Sequence, residues 1–194
     1  MTRFVLATAN EHKAGEIRRV LGDYDVELLD RPGDVPDVDE TEMTLEGNAL
    51  LKARALTTAT GEAAIADDTG LFVDALDGRP GVYSARYAGE NASYADNVAK
   101  LLVELDGVDD ARRGANFRSV IAVTFPDGGS WWVEGVLEGT ILTEAKGDGG
   151  FGYDPVFAPA AGARSLAELT PDEKDALSHR GRALRAFAEK LSRS

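Results

Sequence analysis

Two adjacent carboxylates, Asp67 and Asp68, follow directly on the apolar run Ala63-Ala64-Ile65-Ala66, and Gly70 comes two residues after them. A short apolar run of this kind reads as a buried strand, here one that ends at Asp67. Uncompensated carboxylates beside a core cost on the order of several kcal/mol. The usual compensation is a divalent cation, with one acid as ligand and the other available as proton acceptor. In a chain of net charge −13, the pair points to a magnesium-dependent site acting on an anionic substrate.

The rest of the composition narrows the classes. At 194 residues the chain has room for one sizeable core, or for two lobes sharing one sheet. Its 34 acids against 21 bases, with no basic run, argue against a nucleic-acid polymer as partner but not against a nucleotide. The absence of cysteine excludes disulfides, thiolate metal sites and cysteine nucleophiles. No stretch resembles a secretory leader or reaches the roughly 18 apolar residues of a membrane span, so no membrane and a cytoplasmic location are expected.

Strand-like and helix-like segments are interspersed. Phe4–Ala9 reads as a buried strand, Lys13–Leu21 as a helix and Val26–Leu29 as a short strand. Residues 31–44, rich in Pro, Gly and Asp, form a loop, and Thr44 caps a helix running to about Thr60. Ser93 caps another helix with Asp96 in its first turn. Phe117–Phe125 and Trp131–Leu142 are long strands joined at Pro126-Asp127-Gly128-Gly129. Thr170-Pro171-Asp172-Glu173 is a capping box with proline at the first helical position, and a last helix runs from about Ser178 to Ser192. The mixture predicts an α/β fold with a mixed central sheet flanked by helices, one domain over residues 1–194 with no separate linker.

Several residue groups carry chemistry. Thr8-Ala9-Asn10-Glu11-His12-Lys13 lies between a strand and a helix, where free backbone N–H groups and the helix dipole favour phosphate and Lys13 adds a charge. Polar turns of this kind are also common without a ligand, and no Walker A sequence occurs. On the helix after Thr44, Leu45, Ala49, Ala53 and Leu56 form an apolar stripe at 100° per residue. Lys52 falls inside it and Asn48 at its edge; an inward lysine needs an anionic partner, or else snorkels to the surface. Asp37, Asp39, Glu40 and Glu42 crowd the preceding loop, and Mg2+ would take one or two carboxylates plus substrate oxygens and water.

The stretch Gly147–Gly152 satisfies G-x-G-x-x-G, yet Tyr153-Asp154-Pro155 follows where a dinucleotide-binding helix would begin. The loop offers instead Phe151 and Tyr153, rings able to stack on a base or to fill a core, beside the acceptor Asp154. His179 and Arg180 open the last helix on the face of Leu184 and Phe187. Two inward donors there suit a keto oxygen, a phosphate or a capping role, and Lys174 lies one turn earlier.

Together these stretches resemble the inosine triphosphate pyrophosphatase family, hydrolases of non-standard purine nucleoside triphosphates. The matching motifs are T-A-N-x-x-K at 8–13, N-A-x-x-K-A at 48–53, A-D-D-T-G-L at 66–71, P-G-V-Y-S-A-R-Y-A-G at 80–89, G-G-F-G-Y-D-P at 149–155 and S-H-R-G at 178–181. The resemblance implies Mg2+-dependent hydrolysis of ITP, dITP and XTP to the monophosphate and pyrophosphate. It also implies an elongated fold with two lobes around an active-site cleft, and a homodimer. By position, Thr8, Ala9, Asn10, Glu11, His12 and Lys13 would hold phosphates, with Asn48 and Lys52 also at the substrate. Asp68 would be proton acceptor and metal ligand, Glu40 a second acid at the metal, and Asp67 an organiser of metal or water. Thr69 would touch substrate; Phe151, Gly152, Tyr153 and Asp154 would hold the base with His179 and Arg180, and Lys174 would complete the pocket. Ala9, Thr69 and Gly47 depart from the residues usual in the family, Gly, Ser and Glu.

Two other readings carry different expectations. A septation-inhibitor-like pyrophosphatase would act on pyrimidine or modified nucleotides; the Lys13 loop and Ser178-His179-Arg180-Gly181 count against it. A non-catalytic nucleotide-binding regulator would have no use for an intact Asp67-Asp68.

Overall fold

A computed structural model describes residues 2–160 and 162–193. Its seven-stranded sheet runs β2-β1-β3-β5-β6-β7, with β4 paired to β3. In chain order, β1 (Thr2–Leu6) leads to α1 (Glu11–Leu21), β2 (Val26–Leu29), α2 (Leu45–Thr60), β3 (Ala64–Val73) and β4 (Pro80–Gly81). There follow α3 (Tyr94–Glu104), β5 (Gly114–Thr124), β6 (Ser130–Ile141), β7 (Phe157–Pro159), α4 (Pro171–Leu177) and α5 (His179–Leu191). β1 pairs in parallel with β2 and β3, whereas β4 on β3 and β7 on β6 are antiparallel. The sheet is therefore mixed and flanked by helices, as the sequence predicts. Among the described residues no helix is long and apolar enough to cross a membrane.

The chain divides into two compact units, Met1–Asp68 with Ser119–Gly135 and His179–Ser194, and Thr69–Arg118 with Val136–Ser178. In the first unit, strand alternation sends side chains to two faces of the sheet. Phe4, Leu6 and Ile65 pack against Ile17 and Leu21 of α1 and Leu184 and Phe187 of α5. Val5, Ala7, Ala64 and Ala66 pack instead against Ala53 and Leu56 of α2. Phe187 meets Phe4 edge to face at 5.6 Å, and burying such a ring stabilises by roughly 1.5–3 kcal/mol. The second unit has its own core, in which Leu71, Leu101, Phe117, Tyr153, Val156, Phe157 and Leu166 meet.

Two differences in strand boundary bear on the site. β1 ends at Leu6 rather than Ala9, although the Ala7 N–H still donates to the Ile65 carbonyl at 2.8 Å. Beyond it Thr8 accepts from the Asn10 N–H, and Asn10 turns the chain into α1. β3 does not stop at Asp67 but runs on through both acids to Val73. Cations from elsewhere in the first unit make that continuation tolerable.

Candidate active site

Neighbouring residues of a strand point to opposite faces, so Asp67 and Asp68, each buried, meet different partners. Asp67 is surrounded by donors. Arg180 of α5 donates from Nε to Oδ1 at 3.2 Å and from Nη2 to Oδ2 at 3.3 Å. Lys13 of α1 lies 2.8 Å from Oδ2, and the Ser119 hydroxyl donates to Oδ1. Burial works to raise the Asp67 pKa, but Arg180 and Lys13 overcome it and hold the carboxyl well below its usual range. Arg180, 2% exposed, is closed on its other side by a hydrogen bond to Glu16 of α1.

Asp68 belongs to α2. The inward stripe of that helix carries Lys52, whose Nζ donates to Asp68 Oδ1 at 2.6 Å, to Glu40 Oε1 at 3.0 Å and to the Asp67 carbonyl at 3.0 Å. Burial pushes the Asp68 carboxyl up, and Lys52 with Lys13 only partly offsets it. The same two acids outweigh burial at Lys52 and raise its pKa. Asp68 Oδ2 is buried and, among the described residues, has no hydrogen-bond partner. Such an orphaned acceptor is costly unless a ligand completes it.

These residues fit a hard cation. Asp68 and Glu40 bring two acids to one ammonium, and the orphaned oxygen supplies a ligand position. Among the described residues no three His, Cys, Asp or Glu side chains form a closed metal group.

Asn10 caps α1, its side-chain oxygen accepting from the His12 N–H at 3.0 Å and the Lys13 N–H at 3.2 Å. Ala9, Glu11 and His12 are exposed, with Thr8 half-buried. A cavity of about 710 Å³ adjoins this turn, lined by Thr8, Ala9 and Glu11 together with Arg18 and Arg31. Thr69 follows Asp68 on β3 and is half-buried, and His179, buried, is the first residue of α5.

A second cluster lies within the second unit. Lys174 of α4 is buried and reaches Asp154 Oδ2 at 2.5 Å, while the Phe151 N–H donates to the same oxygen at 2.8 Å. The ammonium sits 4.7 Å from the Phe151 ring centre. Gly150 has φ +68° and presses on this carboxylate, a Cβ there falling 2.2 Å from Asp154 Oδ2. Phe151 and Gly152 are half-buried at the end of this glycine-rich stretch.

The structure places three residues differently from the sequence reading. Asn48 is fully buried, with its amide oxygen accepting from the Glu42 N–H at 3.0 Å and its amide nitrogen donating to the Glu42 carbonyl at 3.3 Å. It ties down the loop that carries Glu40 instead of facing a substrate. Tyr153 is not a stacking surface: its ring lies in the second unit's core and its hydroxyl donates to the Ser84 carbonyl at 2.9 Å. Arg180, read from sequence as a donor to a base, has its guanidinium directed at Asp67 and Glu16. Glu16 and Ser119 escaped the sequence reading. Glu16 had a signal, a carboxylate beside Ile17 on a helix whose buried face needs a cation to receive it.

Comparison with known proteins identifies the family. The model of the Ham1 family matches residues 4–190. A dITP/XTP pyrophosphatase of Geobacter sulfurreducens is 50% identical over 194 residues, 98% of this chain and 97% of that one. A second, from Streptomyces coelicolor, is 47% identical over 191 residues, 96% of each. The structure of a HAM1 protein from Coxiella burnetii superimposes over 100% of both chains at 41% identity, with a TM-score of 0.91. The motif resemblance and the mixed α/β fold are both borne out, and the chain belongs to the Ham1 family.

Proposed function

We propose that this chain is a nucleoside triphosphate pyrophosphatase that hydrolyses ITP, dITP and XTP to the nucleoside monophosphate and pyrophosphate, with residues 1–194 acting as one catalytic domain. The observation that carries this reading is the Lys52 ammonium gripping both Asp68 and Glu40 while Asp68 Oδ2 stands buried and unsatisfied. The dITP/XTP pyrophosphatases similar to it supply the substrate class.

Asp68 and Glu40 would hold Mg2+, which when bound neutralises phosphate charge and activates water. Lys13 and Lys52 meet the polyphosphate as cations, and the N-terminal turn of α1 adds backbone donors. Asp68, its carboxyl raised by burial, takes the proton as a water oxygen bonds to the phosphorus of the α–β anhydride. The bridging P–O bond breaks and pyrophosphate leaves. Asp67 is assigned to holding Lys13 and Arg180 in place rather than to proton transfer. In the second unit, Phe151, Asp154 and Lys174 are assigned to the base: a ring to stack on, a carboxylate acceptor and an ammonium donor for a keto oxygen. An amino group in place of that oxygen would set donor against donor, a mismatch of about 1–3 kcal/mol per buried group. A homodimer in the cytoplasm belongs to the same proposal and is read by sedimentation equilibrium and fractionation.

The test is pyrophosphate release across ITP, dITP, XTP, ATP, GTP, UTP and dTTP, with and without Mg2+. Preference for the first three, dependent on the metal and lost in Asp68→Asn, is expected. Faster turnover of UTP or dTTP, or near-normal turnover by Asp68→Asn, would reject the reading.

A further inference from the structure

Tyr94 lies outside every motif named above, yet its ring touches the base cluster of the second unit. Its position is well fixed. Ser93 caps α3 by accepting the Asp96 N–H at 3.2 Å, and Asp96 returns the bond to the Ser93 N–H at 2.9 Å. The intervening first turn, where Tyr94 sits, is therefore tied at both ends. Tyr94 as a residue is 40% exposed.

Its ring centre lies 5.9 Å from that of Phe151, with the planes inclined at 44°. That separation is within the range of attractive aromatic pairs. Phe151 needs such support, because Gly150 and Gly152 on either side of it both have positive φ and the backbone there is permissive. The Phe151 N–H donates to Asp154, the Phe151 carbonyl accepts from the Asp154 N–H at 3.3 Å, and the Lys174 ammonium lies by its ring. Tyr94 brings a contact from a different, independently capped element.

We propose that Tyr94 is a positioning residue for base recognition: its ring buttresses Phe151, so that a purine meets a stacking surface already set. The inference rests on the assignment of the base to Phe151, Asp154 and Lys174. The contact with Phe151 is ring to ring.

Two substitutions test this, Tyr94→Ala and Tyr94→Phe, with unfolding midpoints checked first. In Tyr94→Ala, KM for ITP and XTP should rise about three- to tenfold, the range an aromatic contact is worth, with kcat held within about twofold. Inorganic tripolyphosphate, which has no base, should inhibit both variants and the parent protein equally. Tyr94→Phe should behave as the parent. An unchanged KM in Tyr94→Ala, equal damage in Tyr94→Phe, or a matching loss of tripolyphosphate inhibition would each overturn the proposal. Calorimetric binding of inosine 5′-monophosphate separates this from the catalytic reading. If no nucleotide is hydrolysed but that affinity falls in Tyr94→Ala and survives in Tyr94→Phe, the catalytic reading fails and Tyr94 keeps its role. Equal affinity in all three proteins, or no binding to the parent, removes it.

Discussion

Arg180 holds Asp67 with two nitrogens of one planar guanidinium, Nε on one carboxylate oxygen and Nη2 on the other. The two residues are 113 positions apart in the chain, and both are almost wholly buried. This fork, with Lys13, Ser119 and Glu16 around it, is what lets a carboxylate sit in the middle of β3.

Removing one partner from a buried ion pair leaves the other uncompensated, at a cost of about 3–5 kcal/mol. Asp67→Asn should therefore lower the unfolding free energy by roughly that amount in urea titrations. Arg180→Lys should also destabilise, since an ammonium cannot reproduce the fork. A loss below about 1 kcal/mol for Asp67→Asn would place it among ordinary surface pairs, where the geometry says it does not belong.

Lys52 bears on chemistry as well as on folding, so its variants are compared only where unfolding midpoints show them folded. Lys52→Met keeps most of the stem but removes the charge shared by Asp68 and Glu40. The acids then face each other without a counter-ion, and pyrophosphate release at saturating ITP and Mg2+ should fall by at least about 100-fold, near 2.7 kcal/mol of barrier. Activity within about tenfold of the parent would show that the ammonium is dispensable.

Gly70 is held by space alone. A Cβ there would lie 2.6 Å from the Gly81 carbonyl oxygen, a backbone atom of the paired strand β4. Gly70→Ala must push the two strands apart and should cost about 1–3 kcal/mol in urea unfolding. An unaltered midpoint would mean that β4 moves away freely.

Glu173 gives a prediction in pH. Its hydrogen bonds to Arg164 and to the Thr170 N–H hold its carboxyl at about 2, against an ordinary 4.5. A depressed folded value stabilises fully above about 4.5, and that contribution is lost as pH falls from there towards 2. Glu173→Gln keeps the capping-box bond and removes the titration. Its drop in Tm between pH 6 and pH 3 should be smaller than the parent's, and equal drops would count against the assignment.

How far the site was legible in the sequence depended on whether periodicity applied. Lys52 lies in an apolar stripe at helical spacing, which left it either turned inward to an anion or snorkelling outward, and the structure turns it inward onto Asp68 and Glu40. Asp67 and Asp68 were legible as acids in need of cations. Their donors were not, because Arg180 and Lys13 arrive through folding rather than through spacing. For the same reason a charged residue looked like the end of a strand that in fact continues to Val73. Phe151 and Tyr153 sit in a glycine-rich loop with no repeat, so nothing in the chain distinguished the half-buried ring from the one in the core. Asn48 was legible as inward, but its partner is the backbone of Glu42, which carries no side-chain signature.

The alternation of β3 has an evolutionary corollary. One acid turns its carboxylate towards Arg180 of α5 and its neighbour towards Lys52 of α2. Inserting one codon ahead of the pair would set Ala66 against Arg180, and deleting one would set Thr69 against Lys52, so one cation loses its acid either way. A change of two residues would restore the faces but carry both acids about 6.6 Å along the strand, so the spacing upstream of Asp67 is inherited information in its own right.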